Sequence, residues 1–190
     1  MVEIMIGSTI GGFVLLAMLT TFLFLGRSGA NIQNYIDMES QARKGLELFA
    51  QDTRQASAIT WNSGTDITLT VDGLYLRYYY SSTAPSGTPV LRGNYFYRLP
   101  PAASAPSIPT TPARNTLLIS GITSFSYKAY NISGTEITDF SSAAALTSAG
   151  KATKQLQLSL ESSRTSTTVV AATNSVLSAR FILRNKRVTT

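Results

Sequence analysis

The sequence predicts an α+β protein: a long N-terminal α-helix, apolar in its first half, with an antiparallel β-sheet domain packed on its second half, in the shape of a ladle. Three observations predict it. The stretch from Ile4 to Leu25 carries no charge. Apolar residues then recur at helical spacing as far as Ala56. Beyond Ala58 the period shortens from about 3.6 residues to about 2. On this pattern residues 1–27 form an apolar helix, 28–58 its amphipathic continuation, and 59–190 a β-rich head.

The apolar run comes first. As a helix, Ile4 to Leu25 is about 33 Å long, enough to cross a bilayer core of about 30 Å. Arg27 closes it. A secretory signal peptide would have a basic start and a shorter apolar region; here the start is acidic, at Glu3. The helix continues, because Tyr35, Met38, Ala42, Leu46, Phe49, Thr53 and Ala56 follow the stripe of an amphipathic helix. Leu46 and Phe49 are the residues expected to pack on the sheet. No proline occurs before Pro85, so one helix runs from near Met1 to about Ala58, with an interruption expected near Gly26–Gly29. It is too long to bury itself in a head of this size. Its first half needs lipid or copies of itself.

The head follows in short strands. Ile67, Leu69 and Val71 alternate with polar residues, and Asp72-Gly73 is a two-residue hairpin signal. The return strand is Leu74 to Tyr80. Further strands are expected over 94–99, 116–119, 124–130, 154–160 and 176–183. Tyr78 and Tyr80, and likewise Tyr95 and Tyr97, are read as packing on the helix. The segments Ser81–Pro89 and Pro100–Pro112 are rich in Pro, Ser, Thr and Ala, which suits surface loops. The alanines of Ser141–Gly150 favour helix over a marginal length.

Composition argues against several functions. The chain has no cysteine and no histidine, so disulfides, thiolate metal sites and the commonest general base are absent. Most carboxylates are placed on the exposed helix face, in turns or at outward strand positions, and no phosphate-binding glycine loop occurs. No enzyme activity, metal or cofactor is expected. The net charge is +6. Arg180, Arg184, Lys186 and Arg187 crowd the C-terminal region. They are read as a solvated strand edge and tail, ahead of a docking site for an acidic partner, a membrane surface or DNA.

Glu3 is the most informative single residue, because a carboxylate leading into a membrane-length helix is costly in lipid. One reading places it among headgroups; the other has it neutralise a cation, the nearest being an α-amino group. Met1-Val2-Glu3-Ile4-Met5-Ile6-Gly7 closely resembles the start of type IV prepilins and pseudopilins. That family carries a leader ending in glycine, and two residues ahead of the position matched by Met1, which this sequence lacks. The stretches Leu48 to Ala56 and Ser178 to Lys186 are similar to the late helix and last strand of minor pilins and pseudopilins. The chain departs from many major pilins in having neither a disulfide-closed loop nor a proline in the apolar helix.

The resemblance implies a structural subunit of an extracellular filament, a homopolymer that sits in the inner membrane as a precursor and works with other pilins and an assembly machinery. Ile4, Ile6, Ile10, Phe13, Leu16 and Phe22 would pack in the filament core, Gly11 and Gly12 would allow local unwinding, and Glu3 would pair with the N-terminal amine of a neighbouring subunit. That amine belongs to Met1, or to a residue ahead of it. The alternatives are a secretion pseudopilin in a periplasmic pseudopilus, or a minor pilin for adhesion or DNA uptake, with nucleic acid the less favoured partner.

Overall fold

A computed structural model of the chain describes residues 2–87, 93–166 and 169–187, with all their side chains except those of 164–175. Met1 and the end of the Ser81–Pro89 loop lie outside the described residues.

Helix α1 spans Val2–Gln55, and it is unbroken through Gly26 and Gly29. It ends slightly earlier than its stripe suggests. The Ser57 amide donates to the Thr70 carbonyl at 2.8 Å, so the chain has already turned into the sheet. The strands are β1 Ala58–Ser63, β2 Asp66–Val71, β3 Leu74–Ser81, β4 Asn94–Arg98, β5 Leu117–Tyr130, β6 Glu136–Ile137, β7 Gln155–Ser166 and β8 Val169–Ile182. Helix α2, Ala143–Ala152, lies between β6 and β7 and is N-capped by the Ser142 hydroxyl, which accepts from the Ala145 amide at 3.1 Å. All pairings are antiparallel, in the order β1-β2-β3-β4-β5-β7-β8, with β6 on β5. The sheet curls around the second half of α1.

Local chemistry sets these elements. Asp72 and Gly73 both take positive φ, 50° and 79°, which closes the β2–β3 hairpin. The two strands expected over 116–130 are one strand, β5. It passes through Gly121 at φ 74° and shifts register between Ile122 and Ser124, a bulge that breaks the period without ending the strand.

The main core lies between the inner sheet face and α1. Phe49 is at its centre, 0% exposed, with Tyr78 and Phe181 edge-on at 5.1 and 5.7 Å and Tyr127 stacked at 6.0 Å. Leu156, Leu158 and Leu160 share this face. The stripe on α1 begins at Met38, and Tyr35 is exposed. Gly45 lets the helix approach β5: a Cβ there would stand 2.9 Å from Ile119 Cγ1.

The tyrosines divide between two faces. Tyr78 packs on the helix, but Tyr95 and Tyr97 do not. With Tyr79 and Leu99 they form a second cluster on the other side of the sheet, where the Tyr79 and Tyr97 rings stack at 4.9 Å. Ala84 packs on this cluster, and the Tyr97 hydroxyl donates to the Thr83 carbonyl at 2.5 Å. The β3–β4 connection thus supplies the cover that the helix supplies on the inner face.

Candidate functional site: an unpartnered apolar helix

Residues 2–29 of α1 are exposed along their whole length. Ile4, Ile6, Ile10, Phe13, Leu16 and Phe22 project from different sides of the helix, and Phe13 is 73% exposed. A helix apolar all round satisfies itself only in a core, a membrane or a bundle. Among the described residues this is the one helix long and apolar enough to cross a membrane.

Four hydroxyls of this half bond back to the helix itself. Ser8 and Thr9 donate to the Met5 carbonyl at 3.0 and 2.9 Å, and Thr20 and Thr21 to the Ala17 carbonyl at 2.8 and 2.9 Å. These four hydroxyls therefore enter an apolar phase without an open donor. Gly7, Gly11 and Gly12 have open space where a side chain would be, and α1 runs through Gly11 and Gly12 without a break.

Glu3 stands in the first turn of α1, where the free amide groups favour a negative charge. It makes no ion pair or hydrogen bond with another described residue. No protein-family model and no curated protein matches the chain.

The other half of α1 is fixed to the head by charge as well as by Phe49 and the partly buried Leu46. Asp52 is buried, unlike the exposed positions expected for most of the carboxylates. Its Oδ2 accepts from Arg98 Nε at 2.7 Å and from the Tyr78 hydroxyl at 2.5 Å. Burial, reinforced by the Asp52 charge, holds the Tyr78 phenol far above its ordinary value. Burial opposes the Arg98 charge, but its bonds to Asp52 and Tyr78 outweigh that and raise its pKa. Asp66 is likewise buried, paired with Arg77 at 2.5 Å, and Arg77 Nη1 also donates to the Pro106 carbonyl at 2.7 Å. No local sequence signal marks these pairs, since Asp52 meets a strand residue 46 positions away.

The C-terminal cations have separate roles. Lys186 is buried, not solvated: its Nζ donates to the carbonyls of Lys151 and Thr153, both at 2.7 Å, closing the C-terminus of α2. Burial, and the nearby Lys154 charge, bring its pKa down to about 8. The Arg180 guanidinium lies 3.6 Å from the Tyr130 ring centroid. Arg184 and Arg187 are exposed. Among the described residues no group of three or more His, Cys, Asp or Glu side chains is placed to hold a metal ion.

Proposed function

We propose that the chain is a structural subunit of a type IV pilus-like filament, held in a membrane by the apolar half of α1 before assembly and polymerising through it. One observation carries this reading: a single helix is packed in the head along its second half and has no partner along its first. A bundle of such helices, reached from lipid, covers Ile4, Ile6, Ile10, Phe13, Leu16 and Phe22, and leaves the heads outside. Other pilins and an assembly machinery belong to the same reading. In the bundle an isolated carboxylate is penalised, so Glu3 pairs with the N-terminal amine of a neighbour and sets the axial register. Gly11 and Gly12, each about 1 kcal/mol less favourable than alanine in a helix, mark where α1 unwinds to fit.

The test is Glu3→Ala in the native cell. Head fold and membrane insertion stay intact while surface filament falls sharply; normal filaments at normal yield would leave Glu3 an ordinary interfacial charge. The second reading is a secretion pseudopilin, favoured by the Asp52-Thr53-Arg54 pattern at the end of the helix. Filaments confined to the periplasm would decide for it.

A further inference from the structure

The two edges of the sheet are unlike. Strand β1 is 6 residues long, and α2 lies against it: a Cβ on Gly150 would stand 3.0 Å from the Ile59 carbonyl oxygen. Strand β8, at the other edge, is 14 residues long, and its pairing with β7 runs without a register shift from Thr173 to Ile182. Among the described residues no other strand pairs with it. Edge strands are ordinarily guarded by shortness, proline, charge, bulges or a cover. β8 has no proline and one charged residue, Arg180, whose guanidinium is held over the Tyr130 ring. Its inward side chains Leu177, Ala179 and Phe181 pack on the core, while Val176 and Ile182 are exposed on its outer face. Beside this edge, α1 and β8 leave a cleft of about 480 Å³ lined by Leu46, Glu47, Ala50, Gln51, Arg54 and Phe181. The inward side chains of a ninth strand, about 4.8 Å beyond β8, would fall there. Arg54 and Arg184 line a smaller cleft of about 150 Å³ at the end of β8. Glu47, Arg54 and Arg184 are exposed, and none is in an ion pair among the described residues. The groove is therefore basic at one end and acidic about 10 Å further along α1.

We propose that the free edge of β8 takes up an extended segment of another protein as an antiparallel ninth strand, apolar on the side facing α1, acidic near its start and basic nearer its end. Main-chain hydrogen bonds along the edge supply affinity, and the cleft reads the alternate side chains. Charge complementarity sets the direction. A strand antiparallel to β8 begins beside Arg54 and Arg184, where an acid is matched, and then passes Leu46, Ala50 and Phe181 to meet Glu47 with a base. Arginine forks suit a carboxylate at that position. A second copy of the chain does not fit. Its β1 edge is short and lies under α2. Pairing β8 with the β8 of a second copy places a two-fold axis normal to the sheet. That axis reverses any helix lying along the sheet, so the two α1 helices would point in opposite directions. Chains held in one membrane or one polar filament have them parallel. This exclusion rests on the filament reading; the open edge and its cleft do not.

The experiment uses the full chain in nanodiscs of phosphatidylcholine and a labelled, end-blocked peptide, Thr-Val-Thr-Asp-Thr-Leu-Thr-Lys-Thr, with binding read by anisotropy. Its Val, Asp, Leu and Lys side chains share the face turned to the cleft. Saturable binding is expected. Methylating the amide nitrogens on one edge of the peptide abolishes binding, and methylating those on the opposite edge preserves it, because an added strand bonds through one edge only. Arg54→Glu with Arg184→Glu weakens binding by about tenfold or more, and a peptide with Lys in place of Asp recovers it. That recovery separates charge from fold. Lys44→Glu with Arg114→Glu, elsewhere on the surface, leaves binding unchanged. The proposal is overturned by no saturable binding, by equal loss from methylation of either edge, or by the parent's affinity in the variant with Glu at both arginine positions. A dimer in detergent that the peptide dissociates overturns the choice of another protein and gives the edge to a second copy. Failure of the filament reading would surface as that dimer, whereas failure of the strand-addition site leaves the peptide unbound.

Discussion

Phe13 and Phe49 lie on one continuous helix, yet one is 73% exposed and the other 0%. The first half of α1 is apolar on every side, and no described residue covers it. The second half is apolar along one stripe, and a curled sheet covers that stripe. The difference teaches what each half is for. A stripe specifies one partner surface within the chain; an all-round apolar surface specifies a surrounding phase, made of lipid or of other helices. The polar groups agree with the division. Hydroxyls in the first half turn back onto their own helix, whereas Asp52 in the second half reaches across to Arg98 and Tyr78 on the sheet.

The largest effect separates the two halves by the same substitution. Phe49→Ala removes a ring enclosed by Tyr78, Tyr127 and Phe181, and should destabilise the head by about 3–5 kcal/mol. Phe13→Ala should change head stability by less than about 0.5 kcal/mol. The chain has one tryptophan, Trp61, buried in the head, so its fluorescence during urea unfolding in detergent reports the head alone. Equal losses for the two variants would break the comparison.

A smaller effect is expected at the polar anchor. Asp52→Ala leaves Arg98 and the Tyr78 hydroxyl without their shared acceptor, and should lower stability by about 3 kcal/mol. Replacing Asp52 and Arg98 together by Leu and Met should recover part of that loss, since no buried charge is then left alone. A double variant weaker than the single would show that the pair does more than satisfy itself.

The smallest effect is a titration far from the apolar half. Lys186, at about 8, lies below its ordinary 10.5, so between these values the unfolded chain holds a proton that the folded chain has released. This group's contribution to stability therefore rises as pH climbs through that window. The stability of the parent relative to Lys186→Met should increase from about pH 8 to about pH 10.5, and the ε-methylene NMR shift of Lys186 should report the lower midpoint. A midpoint near 10.5 would mean that the contact to α2 leaves the ammonium solvated.

Much of the fold was legible because its signals are periodic. The apolar run, the stripe from Met38 to Ala56, the Asp72-Gly73 turn and the alternation of Leu156, Leu158 and Leu160 each report a local geometry. Strand β1 was hidden because the helix was read as far as Ala58, although Ile59 and Trp61 alternate with polar neighbours and are both buried. The gap between the strands expected over 116–119 and 124–130 holds Gly121 and Thr123, where β5 bulges against β4 and β7 without ending. Tyr95 and Tyr97 alternate correctly, but alternation does not say which face a loop covers. The burial of Asp52 and Asp66 has no local signal, because the arginine partner of each belongs to a different element, β4 for Asp52 and β3 for Asp66. The apolar surface of α1 was readable from composition alone; what covers it is not written in that composition.

The central claim is that copies of this chain meet along the first half of α1. The protein has no cysteine, so a single introduced one is a clean reporter. Ile10→Cys, Phe13→Cys and Leu16→Cys, each expressed alone, should give disulfide-linked dimers in filaments sheared from the cell surface, while Ala42→Cys, buried against the sheet, should give none. Filaments that form normally with no cross-link at any of the three apolar positions would contradict the account and move the contact between copies to the heads.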